Sequence, residues 1–218
     1  MKNPMKVRAV LFDLDGTLAD TAPDLAAAVN LMRLQRNLEP VPLAKLRIYA
    51  SGGARGLLDG GFDITPEHDE FESMRAEFLG NYAAAICEHT RLFDGITELL
   101  NSINQQSLPW GIVTNKPSRF TQALLPLLDL QQARCVVSGD TTPHFKPHPA
   151  SLLEAARQLQ VLPQECCYLG DDLRDIQAAQ AAGMVSIGVT WGYCGKTEPN
   201  GWKADLLLDQ PGELLKFI

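Results

Sequence analysis

Asp13-Leu14-Asp15-Gly16-Thr17 places two carboxylates two residues apart, directly after the apolar run 7–12. In extended backbone, residues two apart point to the same side, so Asp13 and Asp15 project together beyond the end of a strand. Two acids this close ionise together only at a cost unless a cation lies beside or between them. Gly16 permits the sharp turn that takes the chain off the sheet. Taken alone, the five residues would also suit a polar strand-to-helix turn.

Three further clusters follow apolar runs in the same way. Thr114-Asn115-Lys116 comes after Trp110-Gly111-Ile112-Val113 and offers a hydroxyl and successive backbone N–H groups to an anion, though Thr or Asn is also a common helix N-cap. Lys146, in Phe145-Lys146-Pro147-His148-Pro149, is a cation whose flanking prolines fix the local backbone; by itself it would suit a solvated surface as well. Gly170-Asp171-Asp172-Leu173-Arg174-Asp175 follows Cys167-Tyr168-Leu169. If a helix begins there, Asp171 and Asp175 share a face. The helix dipole favours acids in a first turn, but three in five residues repel without a cation, and oxygen ligands at this density suit Mg²⁺.

These clusters need a scaffold that brings four strand ends together. The apolar runs at 7–12, 110–113, 135–137, 167–169, 185–189 and 205–208 alternate with helical patterns: Ile96/Leu99/Leu100/Ile103, Phe120/Leu124/Leu127/Leu128 and Leu152/Leu153/Ala156/Leu159. Strands alternating with helices of this length predict an α/β fold with a parallel sheet covered on both faces, whose ligands bind beyond the carboxyl ends of the strands. From Asp20 to Arg91 the alternation stops. That stretch holds only helical patterns, Leu25/Ala28/Val29/Met32 and Phe71/Met74/Phe78/Tyr82 among them, and Pro40 and Pro42 separate its first helix from the next segment. The reading is a helical cap, 20–91, inserted after the first strand of a core formed by 1–19 and 92–218.

Composition narrows the partners. The 218 residues are 45% apolar and 21% charged, which suits a folded globular chain. A net charge of −7 argues against nucleic acid as the main partner. No stretch approaches the ~18 apolar residues of a membrane helix, and no leader pattern precedes the first strand. No obligate protein partner is evident. Five cysteines without a CxxC pair read as reduced thiols in a cytoplasmic protein. Gly195-Lys196-Thr197 ends like a P-loop, but Thr190 holds the required earlier glycine position and Pro199 follows too soon for a helix. His144 and His148 are four apart, but Pro147 disfavours the helix that would bring them together, so no zinc site is read.

In order and separation, Asp13-Leu14-Asp15-Gly16-Thr17, Thr114-Asn115, Lys146-Pro147 and Gly170-Asp171-Asp172…Asp175 resemble the four motifs of the haloacid-dehalogenase (HAD) superfamily. The resemblance spans nearly the whole chain. It implies a Rossmann-like core with a small helical cap, and within the superfamily the phosphoglycolate-phosphatase branch is similar. Within that branch Ser51-Gly52-Gly53-Ala54-Arg55, 110–117 and 170–176 are similar to bacterial N-acetylmuramic acid 6-phosphate phosphatases. His148 stands where relatives often carry an acid. The resemblance implies that Asp13 is the nucleophile and forms an aspartyl-phosphate, and that Asp15 is the proton carrier. Mg²⁺ would be held by Asp13, the Asp15 carbonyl and Asp171, with Asp175 bound directly or through water. Thr114, the Asn115 backbone and Lys146 would hold the phosphoryl oxygens. Asp172 is read as a helix-start or supporting residue.

The implied substrate is a small phosphorylated metabolite. Ser51-Gly52-Gly53-Ala54-Arg55 reads as a selecting loop in which glycines such as Gly53 allow close approach and Arg55 would grip a carboxylate, although a surface salt bridge is an equally plain role for Arg55. Phosphoglycolate and N-acetylmuramic acid 6-phosphate both carry a carboxylate; the denser resemblance favours the amino sugar. A phospho-receiver module shares the strand-end acids but lacks a helical insert after its first strand. A sugar phosphomutase shares the nucleophile. A dehalogenase lacks the second acid supplied here by Asp15.

Overall fold

The computed structural model describes residues 7–195 and 197–218. Six strands form one parallel sheet in the order β5-β4-β1-β6-β7-β8. They are β1 (Ala9–Phe12), β4 (Trp110–Val113), β5 (Cys135–Val137), β6 (Cys166–Gly170), β7 (Val185–Val189) and β8 (Leu206–Leu208). Helices cover both faces, so β1 reads as an unbroken apolar run whose residues are all buried. Val10 and Phe12 join one core with α5 (Ile96–Gln105) and α6 (Ser118–Leu127); Ala9 and Leu11 join the other with α7 (Ala150–Leu159) and α8 (Leu173–Ala182). Phe12 meets Trp110 edge to face at 6.3 Å.

From β1 the chain moves outward through β4 and β5, then returns to β6 on the other side of β1. This reversal opens a crevice beyond the carboxyl ends of β1, β4 and β6, where parallel sheets bind ligands. Thr114 is the residue after β4, Asp13 the residue after β1 and Asp171 the residue after β6.

The helices α1 (Ala22–Gln35), α2 (Leu43–Ala50), α3 (Gly53–Phe62) and α4 (Phe71–Ala84) pack around their own apolar cluster, which Phe120 and Tyr193 also enter. At the entry and exit of this unit, β2 (Ala19–Asp20) pairs antiparallel with β3 (Arg91–Leu92). Two-residue strands are too short to carry a periodic signal, so the ribbon is not visible in the apolar pattern.

Two helices bury a face slightly rotated from the one their apolar spacing predicts. Leu127 and Leu153 are exposed, and Leu125 and Ala155 take the buried positions instead. Both stripes are wide enough for an apolar residue to lie just outside the buried arc.

Candidate active site

Asp13 remains tied to the sheet, its N–H donating to the Leu169 carbonyl at 2.9 Å. Three residues on, Gly16 adopts φ +89°, and a Cβ there would lie 2.2 Å from Asp171 Oδ2. Only glycine admits this turn and this approach. The turn lets the first and fourth clusters meet: Thr17 Oγ1 donates to Asp171 Oδ1 at 3.1 Å. Asp13, Asp171 and Asp175 each offer an oxygen, all within 4.8 Å of one another. These side chains belong to residues exposed by only 8%, 1% and 2%.

Lys146, also buried, supplies the cation. Its Nζ lies 2.9 Å from Asp13 Oδ1 and 2.7 Å from Asp175 Oδ1, and donates to Tyr168 Oη at 2.6 Å and the Val113 carbonyl at 3.2 Å. An ammonium has three protons and here faces four acceptors. Asp13 Oδ1 is the one left without a directed hydrogen bond. Lys146 therefore lends Asp13 charge but does not satisfy its oxygen. Burial pushes the Asp13 carboxyl up to about 7, against the pull of Lys146 and aided by Asp175 and Asp15. Burial, then Asp13 and Asp175, raise Asp171 well above the usual carboxylate range. Burial works against the Lys146 charge, yet Asp13 and Asp175 keep its pKa above an ordinary lysine's. Three buried carboxylates, one with an orphaned oxygen, thus share one ammonium. An all-oxygen group with this excess of negative charge fits a hard divalent cation such as Mg²⁺.

Asp15 points elsewhere. Its Oδ1 accepts from Lys116 Nζ at 2.9 Å and from Thr21 Oγ1, while Oδ2 takes no bond among the described residues. Its carboxylate is not part of the oxygen cluster. Thr114 is buried, its Oγ1 accepting from the Lys116 N–H at 3.2 Å. The Asn115 side chain clamps the Lys146 backbone in both directions, Nδ2 donating to its carbonyl at 3.1 Å and Oδ1 accepting its N–H at 2.9 Å. Asp172 is the N-cap of α8: its side chain accepts the Arg174 N–H, and Asp175 Oδ2 returns the bond to the Asp172 N–H at 3.1 Å.

A cavity of about 660 Å³ joins these groups to the helical unit. Gly53 and Arg55 line it from the first turn of α3 and not from the loop expected there, Arg55 being exposed, and Phe71, Phe78, Tyr82 and Phe120 supply an apolar wall. The structure therefore brings Asp13, Asp15, Thr114, Asn115, Lys146, Asp171 and Asp175 to one crevice, with Gly53 and Arg55 on its wall.

Several site groups were not singled out by the sequence reading. Lys116 was within reach of it, a cation in the same tripeptide as Thr114. Arg174, whose Nη2 donates to the Ser51 carbonyl of the helical unit at 2.6 Å, gave no signal of that contact. Neither did Tyr168 or Thr21. His144 and His148 do meet, their rings 4.3 Å apart, contrary to expectation. A turn closed by the His148 N–H on the Phe145 carbonyl does this without a helix. No acid or cysteine completes a group of three around them among the described residues. Of the P-loop-like Gly195-Lys196-Thr197, Lys196 lies outside the described residues. The described cysteines are all free thiols.

Residues 10–189 match the model of the haloacid dehalogenase-like hydrolases. A phosphoglycolate phosphatase of Xanthomonas campestris pv. campestris is 47% identical over 210 residues, 95% of this chain and 94% of the relative. An N-acetylmuramic acid 6-phosphate phosphatase of Pseudomonas putida is 41% identical over 216 residues, 98% and 97% of the two chains. Among solved structures, a predicted phosphoglycolate phosphatase from Haemophilus somnus 129PT superposes with a TM-score of 0.87 at 27% identity, covering 98% of this chain and 99% of the other. The chain belongs to the haloacid dehalogenase-like hydrolase family, and it is a phosphatase.

Proposed function

We propose that the protein is a Mg²⁺-dependent phosphomonoesterase that works through an aspartyl-phosphate at Asp13, with N-acetylmuramic acid 6-phosphate as substrate. The observation that carries this reading is the Asp13 oxygen, buried 2.9 Å from Lys146 and lacking a directed hydrogen bond, beside Asp171 and Asp175. Asp13 attacks phosphorus as the bond to the leaving oxygen breaks, and Asp15 gives that oxygen its proton. Asp15 then takes a proton from water, which attacks phosphorus, releases phosphate and restores Asp13. Asp15 Oδ1 is already held by Lys116 and Thr21, which leaves Oδ2 for the transfer. Thr114, the Asn115 backbone and Lys146 receive the phosphoryl oxygens.

Asp13, Asp171 and the Asp15 carbonyl would hold the metal, with Asp175 as a further ligand shared with Lys146. Bound there, Mg²⁺ neutralises phosphoryl charge. The segment 20–91 acts as a cap over a core of 1–19 and 92–218, and Arg55 and Gly53 select the leaving group. A cavity of about 660 Å³ with an aromatic wall is of a size that encloses a sugar-sized ligand, larger than a two-carbon acid needs. That supports the amino sugar over phosphoglycolate, the second reading, which the 47% identical relative's name favours. Peptidoglycan recycling in the cytoplasm is the setting this substrate implies, and free thiols fit that compartment. Side-by-side kinetics decide between the two: kcat/KM should be higher on N-acetylmuramic acid 6-phosphate, and a preference for phosphoglycolate would reverse the assignment.

A further inference from the structure

After β7 the chain turns back over the first cluster. Trp191 Nε1 donates to the Thr17 carbonyl at 3.0 Å. At Gly192 a Cβ would lie 2.2 Å from the Gly16 carbonyl oxygen and 2.3 Å from Asp171 Cβ, so the segment is pressed against both. Tyr193 comes next. Its N–H donates to Asp171 Oδ2 at 2.8 Å. Its phenol, buried, reaches the first turn of α1, where the oxygen accepts the N–H groups of Thr21 at 2.7 Å and Ala22 at 2.9 Å.

Helices begin with N–H groups that have no intrahelical acceptor, and a polar residue at the N-cap normally satisfies one of them. Thr21 occupies that position in α1 but makes no capping bond. Its hydroxyl donates to Asp15 instead. Tyr193 thus takes two N–H groups at the helix start from outside, while the Thr21 hydroxyl serves Asp15. With two N–H groups on its oxygen, the phenol has its own proton to give. Thr21 Oγ1 lies 3.2 Å away and Asp20 Oδ1 3.4 Å away. Asp20 Oδ1 is already held by Arg47 at 2.8 Å, so the shorter path runs to Thr21. The donations then align: Tyr193 Oη–H to Thr21 Oγ1, and Thr21 Oγ1–H to Asp15 Oδ1. Aligned bonds of this kind polarise and orient one another.

We propose that Tyr193 is a positioning residue for Asp15, its phenol fixing the Thr21 hydroxyl that orients the Asp15 carboxylate while its amide holds Asp171 in register. This rests on the reading of Asp15 as proton carrier. Tyr193→Phe keeps the ring and removes the relay. Proton donation matters when the leaving group is a poor one, so kcat/KM on N-acetylmuramic acid 6-phosphate, an alkyl ester, should fall about tenfold. On p-nitrophenyl phosphate, whose leaving group needs no proton, it should change by less than about twofold. Asp15→Asn should show the same selectivity more strongly, and adding Tyr193→Phe to it should cost nothing further.

Equal losses on both esters, no loss on either, or additive losses in the double variant would each overturn the proposal. Should Tyr193→Phe fail to fold, judged by circular dichroism, Thr21→Val breaks the same relay one bond nearer Asp15 and is held to the same outcomes. If Asp15→Asn itself fails to discriminate between the esters, the proton-carrier reading falls, a result distinct from failure of Tyr193 alone.

Discussion

Arg55 is an exposed guanidinium on the cavity wall, and an exposed charge does little for stability. Its value would lie in the substrate. If it grips a carboxylate, Arg55→Ala should remove about 2–3 kcal/mol of transition-state binding, or about 30- to 150-fold in kcat/KM, on N-acetylmuramic acid 6-phosphate. On N-acetylglucosamine 6-phosphate, which has no carboxylate, the change should be small. Equal losses on the two sugars would make Arg55 a structural residue of α3. Lys146 is the opposite case, a buried cation between two acids. Lys146→Met leaves Asp13 and Asp175 unpaired, a loss of about 3–5 kcal/mol in metal-free protein that urea melts at neutral pH would register. Unchanged stability would mean that the carboxylates are protonated or hydrated once the ammonium is gone.

Among the elements, α1 carries more than its length suggests. Asp24 in its first turn is buried and accepts the N–H of His89 at 3.0 Å, the N–H of Thr90 at 2.8 Å and the Thr90 hydroxyl at 2.7 Å. One carboxylate thus pins the chain entering the helical unit to the chain leaving it, beside the β2–β3 ribbon. Asp24→Ala would strand those donors and should lower stability by about 3 kcal/mol, read as a fall in the urea midpoint at constant slope. A shift under about 0.5 kcal/mol would show that water replaces the carboxylate.

Little of this was legible in the chain. The strands and the four clusters could be read because each cluster follows an apolar run and turn chemistry marks its start, as at Asp13 and Asp171. The joints could not. Asp24 looks like any acid in a first turn, and Tyr193 stands 172 positions from the Thr21 amide it accepts. Such contacts have no periodic signature, because the fold and not the spacing brings them together. The same holds for His144 and His148, which a turn joins where only a helix had been considered.

Within a chain of net charge −7, three buried acids share one ammonium at the ends of the central strands. This couples stability to pH and to metal. The Asp13 carboxyl rises from 3.8 to about 7 on folding, so the folded protein binds that proton more tightly than the unfolded chain. Its stabilising contribution is present at low pH and is lost as pH rises through about 7. In EDTA the melting temperature should therefore decline between pH 5 and pH 7. A bound divalent cation replaces the proton, so Mg²⁺ should raise the melting temperature most at the upper end of this range. Parallel pH profiles with and without Mg²⁺ would show that these acids do not hold the metal.

Phosphorylation of Asp13 can be trapped directly. Acid-quenching the enzyme during turnover and reducing it with borohydride converts an aspartyl-phosphate to homoserine, a loss of one oxygen and gain of two hydrogens visible in the peptide mass. Homoserine should appear at position 13, dependent on substrate and absent from Asp13→Asn, which should fold normally but not turn over. Homoserine at another carboxylate, or steady turnover by pure Asp13→Asn, would contradict it.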